Sequence, residues 1–333
     1  MLPLYCQCGQ RVFCDNTDCA NCGRKLGFDP VTRQMHSLEP DGDSWVDQEG
    51  RNYQFCENRL RFKICNGLAG EDSNRLCRAC ALNRTIPILE KPDNILLWSR
   101  LERAKRRLVY DISRLDLPLR VDIDGKSTEL HFDFKEDQRS HPDVFEEFVT
   151  TGYKDGLITI NLREADDVTR VQQRELMGER FRTLLGHFRH EAGHFYFPII
   201  VQDPDGFTQL FGDFATNYSE TLEYYYQHGP GQDWEASYIS AYASSHPLED
   251  WAETFAHYLH IEDALETAAS QGLAPDMSEQ SLEDRLGLWI ELVVSLNEVS
   301  RSLGIRDAYP FALTPAIVKK LCFVDDCVRG GQY

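Results

Sequence analysis

Apolar residues recur at helical spacing in four stretches of this chain and follow strand-like patterns in two others. Across residues 94–115, Leu97, Leu101, Ala104, Leu108 and Ile112 share one stripe of a helix. Phe181, Leu184, Leu185, Phe188, Ala192 and Phe195 repeat that spacing, and Pro198 is expected to end the helix they define. A third helix opens on Pro247, a residue suited to a first helical position, and carries Trp251, Phe255, Tyr258 and Leu259 on one face. Leu286, Leu288, Ile290, Leu292, Val293 and Leu296 predict a fourth, with Gly304 near its end. Strands are expected at 129–134, where Leu130, Phe132 and Phe134 alternate, and at 156–162. The fold class read from this is α+β, mainly helical, with a small mixed sheet.

Composition narrows the picture. A chain of 333 residues, 42% hydrophobic, can bury one sizeable core plus a small accessory module. No apolar run approaches the length of a membrane-spanning helix, so no membrane partner is expected. The net charge is -19, and nearly all of the acidic excess lies after residue 95. Neither part offers the basic surface that phosphate-backbone binding requires, so nucleic acid is a disfavoured partner that the sequence leaves open. Arg59, Arg61 and Lys63 alternate as residues on one side of a strand do, and are read as a solvated edge. No signal-like apolar run follows Met1, which places the chain in a reducing, cytoplasmic setting where thiols stay free.

All but two of the 11 Cys precede residue 81. Cys19-x-x-Cys22-Gly and Cys77-x-x-Cys80 have the spacing by which two thiolates reach one tetrahedral ion. Five thiols compete for the first site; Cys6, Cys8, Cys19 and Cys22 are assigned to it, with Cys14 open as a replacement for Cys6. Cys56, Cys65, Cys77 and Cys80 close a second site of four sulfurs, structural because no position is left open. Residues 1–95 are therefore expected to be a cysteine-rich region with two structural zinc ions, followed by a second domain over 96–333. Ribbons this small bury too little apolar surface to fold unaided, so metal binding and folding are coupled. A ribbon can hold nucleic acid, a protein partner or its own neighbouring domain. Cys322 and Cys327 read as buried thiols.

The chemistry sits in the second helix, at His190-Glu191-Ala192-Gly193-His194. Residues i and i+4 lie one above the other, so both imidazoles project from one face and can grip one zinc ion, with Glu191 in reach of a metal-bound water as general base. His187, three residues earlier, reads as a hydrogen-bonded flank rather than a ligand. Catalytic zinc usually keeps three protein ligands and one open position. Glu249, in a stripe with Glu253 and His257 opposite the apolar face of the third helix, is assigned as the third ligand, and Glu253 as the acceptor that orients a ligating histidine. Asp250, Glu253 and His257 remain alternatives to Glu249, and acids there also favour the helix dipole.

The segments 156–162, 181–194 and 246–260 resemble the bacterial zinc-binding metallopeptidases that carry an N-terminal zinc ribbon, and the likeness spans nearly the whole chain. The resemblance implies a zincin-type catalytic domain of the gluzincin kind, with one catalytic and two structural zinc ions and a protein or peptide substrate. The Glu-x-x-Ala-Glu-x-Phe arrangement beginning at Glu249 is similar to the third-ligand helix of such enzymes. Tyr242, seven residues before Glu249, is carried over as the oxyanion donor, with Tyr238, Tyr218 and His246 as competitors. The resemblance also implies that the strand at 156–162 is an edge that receives substrate by strand addition. The first cysteine cluster departs from the family pattern, having Cys6-Gln7-Cys8-Gly9 in place of Cys-x-x-Cys-Gly. Two other readings stand beside the peptidase: a zinc-ribbon interaction protein with an inactive catalytic domain, and a nucleic-acid-associated protease.

Overall fold

The computed structural model describes residues 1–333 apart from 43, 70–74, 124, 140–143, 145, 147, 177–180 and 331–333. The chain forms two compact units, Leu2–Arg170 and Val171–Tyr333, with Met1 belonging to the second.

The unit Leu2–Arg170 begins with a short hairpin, β1 (Leu4–Tyr5) and β2 (Arg11–Val12), and an antiparallel meander of β3 (Lys25–Asp29), β4 (Gln34–Asp41), β5 (Ser44–Val46) and β6 (Asn52–Tyr53). Two short helices follow, α1 (Glu57–Phe62) and α2 (Arg78–Ala81), then β7 (Asn83–Thr85) and the long α3 (Pro92–Arg114). After the hairpin of β8 (Arg120–Ile123) and β9 (Lys126–Glu129) come β10 (His131–Lys135), β11 (Gly152–Lys154) and β12 (Leu157–Asn161). The sheet order is β11-β12-β10-β7, with β7, β10 and β12 parallel and β11 antiparallel. Phe132, Asp133 and Phe134 are all buried, as expected of a parallel strand covered on both faces. Leu101, Leu108 and Ile112 of α3 are buried while Leu97 is half-buried, and Lys105 lies over the sheet with its Nζ 5.4 Å from the Phe134 ring centre. Burying that ammonium is offset by Glu102 at 3.0 Å and by Asn83. α2 packs on both α3 and β7, so the second cysteine loop shares one compact unit with α3 and the sheet.

Two expectations are corrected in this unit. The strand at 156–162 is no edge: β12 pairs with β10 on one side and β11 on the other, so its backbone groups are already spent in the ladders. Arg59, Arg61 and Lys63 lie on and at the end of α1, because Cys56 starts a helix that Lys63 closes in the left-handed conformation (φ 58°). They form no basic patch. Arg59 donates to the carbonyls of Leu26 and Thr17 and stacks on Phe55, while Arg61 pairs with Glu57 at 3.1 Å.

In the unit Val171–Tyr333 the described elements are helical. α4 (Asp167–Leu176) crosses the boundary, followed by α5 (Leu184–Ile200), α6 (Pro204–Phe211), α7 (Tyr218–His228), α8 (Pro247–Ser270), α9 (Leu282–Ser302) and α10 (Pro315–Gly330), with 3-10 turns at Trp234–Ala236 and Tyr242–Ser245. Thr183 caps α5 by accepting from the Gly186 N–H at 2.9 Å. Pro198 does not stop α5, which runs two residues further; in the last turn its missing N–H deprives only the His194 carbonyl, and the ring is exposed. On α9, Leu286, Trp289 and Val293 are buried but Ile290 is 46% exposed, so the apolar stripe is narrower than the sequence suggests. Among the described residues no helix is long and apolar enough to cross a membrane.

α5 and α8 are the most extensively packed pair of helices. A Cβ built on Gly193 would lie 2.9 Å from the Ala252 Cα and 3.3 Å from the Phe255 Cβ, so only glycine admits α8 at this distance. Trp251 anchors the crossing, its Nε1 donating to the Gly193 carbonyl at 2.8 Å and its ring packed among Phe197, Phe207, Phe211 and Phe323. Gly193→Ala is expected to lower stability by about 1–3 kcal/mol through overpacking against backbone, read as a reduced thermal midpoint. An unchanged midpoint would show that the helices can part at no cost.

Candidate metal centre

The crossing of α5 and α8 brings three side chains from distant parts of the chain to one point. His190 and His194, one turn apart on α5, face Glu249 in the first turn of α8, and their donor atoms all lie within 4.8 Å of one another. The His190 and His194 Nε2 atoms are 3.2 Å apart, His190 Nε2 lies 3.0 Å from Glu249 Oε2, and His194 Nε2 lies 3.4 Å from Glu249 Oε1. Ligands of a tetrahedral ion bonded at about 2.0–2.1 Å are about 3.3–3.4 Å apart, so the two imidazoles and the carboxylate, which meets His190 through Oε2 and His194 through Oε1, are spaced as ligands of one zinc ion are. Glu249 Oε2 is buried without a hydrogen-bond partner of good geometry, an orphan that a cation would satisfy.

The surroundings hold these donors in place. His190 Nδ1 lies 2.7 Å from Glu253 Oε1, and the other Glu253 oxygen accepts from Ser240 Oγ at 2.6 Å. Ser240 in turn accepts from the Ala243 N–H at 3.1 Å. This chain fixes the ring with Nδ1 protonated and Nε2 toward the centre. Tyr218 on α7 donates to Glu249 Oε1. Burial favours a neutral His190, but Glu249 and Glu253 outweigh it and hold the ring well above its ordinary pKa. The extra proton sits where a cation would sit, since a ligating imidazole must give it up. Burial works against ionised Glu249 and Glu253 too, yet the histidines hold Glu249 well below the usual carboxylate range and His190 draws Glu253 down to about 2. Glu191 is buried on the same helix, and its desolvation pushes its pKa up.

The alternatives to Glu249 are engaged elsewhere. Asp250 is bound to Lys320 of α10, and burial raises it to about 7. His257 Nδ1 meets the Tyr309 hydroxyl at 2.7 Å and burial lowers the ring to about 4. His246 caps α8, accepting at Nδ1 from the Leu248 N–H and donating from Nε2 to the Thr216 carbonyl, both at 3.0 Å. His187 stays outside the ligand group. The Tyr242 ring centre lies 6.0 Å from that of His190, and its hydroxyl meets Tyr226.

In the other unit the sulfurs form two groups, Cys6, Cys8, Cys19 and Cys22, and Cys56, Cys65, Cys77 and Cys80. Sulfur pairs stand 3.6 Å apart in each, close to the roughly 3.8 Å that bonds of about 2.3 Å to a tetrahedral zinc dictate. Cys14 lies outside the first group, and burial pushes its thiol up. Gly9 and Gly23, with φ of 81° and 75°, turn their chains back so that each N–H bonds the first cysteine carbonyl of its loop at 2.8 Å. Asn21 and Ser37 donate to Cys8 and Cys6, and Gly67 donates to Cys65 Sγ at 3.1 Å. A Cβ on Gly67 would meet Cys77 Sγ at 2.7 Å.

A family model described as "putative zinc-binding metallo-peptidase" matches residues 94–327, and one for a zinc-ribbon domain matches residues 4–91. The chain belongs to that metallo-peptidase family. It is 39% identical to uncharacterized proteins of Mycobacterium bovis and of two strains of Mycobacterium tuberculosis, over 98% of this chain and 95% of each relative. No solved structure matches it. The family and the two cysteine clusters together support zinc binding.

Spacing brings forward the residues of all three groups while leaving Cys14 and the neighbours of Glu249 as alternatives. It gives no sign of Ser240, Ser37 or the bond from Tyr218, which come from segments with no fixed distance to the motifs. Asn21 and Gly67 sit in or beside the cysteine motifs, but their bonds to sulfur are not set by spacing. Chelation is expected to unfold the ribbon, seen as rapid proteolysis within residues 4–91; resistance would mean that the thiols hold the fold without metal. Glu253→Ala should weaken zinc at the histidine centre by about 10–100-fold in competition with a chelator. Unchanged affinity would separate Glu253 from the metal.

Proposed function

We propose that the chain is a zinc-dependent peptidase of the zincin kind, acting on protein or peptide substrates. The observation that carries this reading is the convergence of His190, His194 and Glu249 around one point, with Glu191 buried beside them on the same helix. Zinc held by those three side chains would supply a Lewis acid for the peptide carbonyl and lower the pKa of bound water, with a fourth position left for that water.

The chain's own residues do the rest. Glu191 takes a proton from the attacking water and passes it to the leaving amine as the C–N bond breaks. Its burial shields that proton from bulk solvent. Glu253 and Ser240 keep the His190 ring in the ligating tautomer. Tyr218 steadies Glu249, and Tyr242, whose ring lies beside His190, would turn its hydroxyl from Tyr226 to donate to the oxyanion. Both four-sulfur groups would be closed structural zinc sites, making three ions per chain, and the ribbon they hold would present a surface to a protein partner.

Glu191→Gln is expected to abolish peptide hydrolysis, with all three zinc ions retained in metal analysis, because it removes the base without removing a ligand. Cleavage by that variant at the parent rate would sink the mechanism.

A further inference from the structure

The helical unit also holds a cavity of about 690 Å³, two of whose lining segments belong to elements that also serve the candidate centre. The 3-10 turn Tyr242–Ser245 sets Tyr242 against His190 and contributes Ser244 and Ser245 to the cavity lining. α7 does the same on another side: Tyr218 bonds Glu249, while Tyr224 and Tyr225 line the cavity, and the Tyr225 ring centre is 6.0 Å from that of Tyr242.

Three features define what would fill it. Four aromatic side chains, Tyr224, Tyr225, Trp234 and Tyr238, line it, Tyr224 with one face stacked on His228 at 4.2 Å between ring centres. The charged side chains of the lining are Glu220 and Asp233, both acidic and exposed. The ammonium of Lys320 lies 4.4 Å from the Tyr238 ring centre, but it is buried and spent on Asp250 and on the Ser237 carbonyl at 2.8 Å. Finally, Ser245 is 6% exposed and its Oγ has no hydrogen-bond partner, a condition that buried hydroxyls rarely keep.

A ligand for this cavity needs a positive charge for the two acids, a flat face for the rings and an N–H for Ser245. A guanidinium combines all three, whereas an ammonium lacks the planar face. We propose that the cavity is a substrate subsite that takes an arginine side chain near the scissile bond. This assignment rests on the peptidase reading above, whose active site it adjoins.

The probes are Ala-Arg-Ala and its neutral isostere Ala-citrulline-Ala, titrated by calorimetry into zinc-loaded Glu191→Gln protein. The arginine peptide is expected to bind about tenfold more tightly, and the difference to collapse in the added double variant Glu220→Gln/Asp233→Asn at unchanged zinc content. Equal binding of the two peptides to the protein with both acids in place overturns the subsite, as does a preference that survives the double replacement. Longer peptides with arginine or citrulline at one position, incubated with the unaltered protein, separate the two levels of the argument. Preferential binding without cleavage of either leaves the cavity as an arginine-binding site and sinks the peptidase reading with the subsite role; cleavage of both at equal rates sinks the subsite alone.

Discussion

The helical unit depends on how closely α5 and α8 approach at Gly193. With no side chain there, the backbone of α8 comes to within a methyl group of α5, and the Trp251 indole bonds the carbonyl of the same glycine. That contact sets the rotation of both helices. It turns His190 and His194 toward the first turns of α8, so that Glu249 meets their Nε2 atoms and Glu253, one turn on, meets the Nδ1 of His190. On the same pair of helices Arg189, buried beside the motif, donates to Asp263 at 2.8 Å and to His260, adding a second polar tie. The metal-binding geometry is thus a by-product of packing, held by the same surface that forms the core.

Three acids near the start of α8 show how helical rotation divides one kind of side chain among different tasks. Glu249 points to the histidine pair, Asp250 is turned about 100° away to the buried ammonium of Lys320, and Glu253 returns to the histidine face. Glu249 and Asp250 also sit in the first turn, where the helix dipole favours negative charge, so the pattern has a structural reading that competes with the chemical one. Only the position of a second helix tells them apart. His246 completes this end of α8 by serving as its cap, so a histidine placed among candidate donors by sequence has both nitrogens occupied by backbone groups.

What was legible in the chain was local. The i, i+4 pair, the Cys-x-x-Cys knuckles and the acid stripe on α8 are set by spacings that a helix or a tight loop converts directly into geometry. The α+β class and the long helices followed from apolar periodicity. The errors came where a partner decides. A strand of β-branched and apolar residues looks the same at an edge or inside a sheet, and only the pairing of β11 moves β12 to the interior. Alternating basic residues look alike on a strand edge or on a single helical turn, and Cys56 tips the balance by starting α1. Pro198 reads as a stop, but a proline in a last turn sacrifices a single carbonyl bond, which the packing of α5 tolerates. Ser240 and Tyr218 reach the centre across intervals that obey no helical or strand repeat.

The union of the ribbon with α3 and the parallel sheet bears on how this protein can be dissected. Trp98 donates to Glu102 at 3.0 Å, Glu102 also accepts from Asn83 of β7, and Cys80 Sγ lies 3.8 Å from the same carboxylate. Cutting the chain at the start of the metallo-peptidase match would strip β7 and the second cysteine loop from α3. The ammonium of Lys105 would lose Asn83, and the wholly buried Trp98 would face solvent. A truncated product beginning there inherits an exposed indole and a half-dismantled ion cluster, so misfolding of such a fragment would say nothing about the competence of the intact polypeptide.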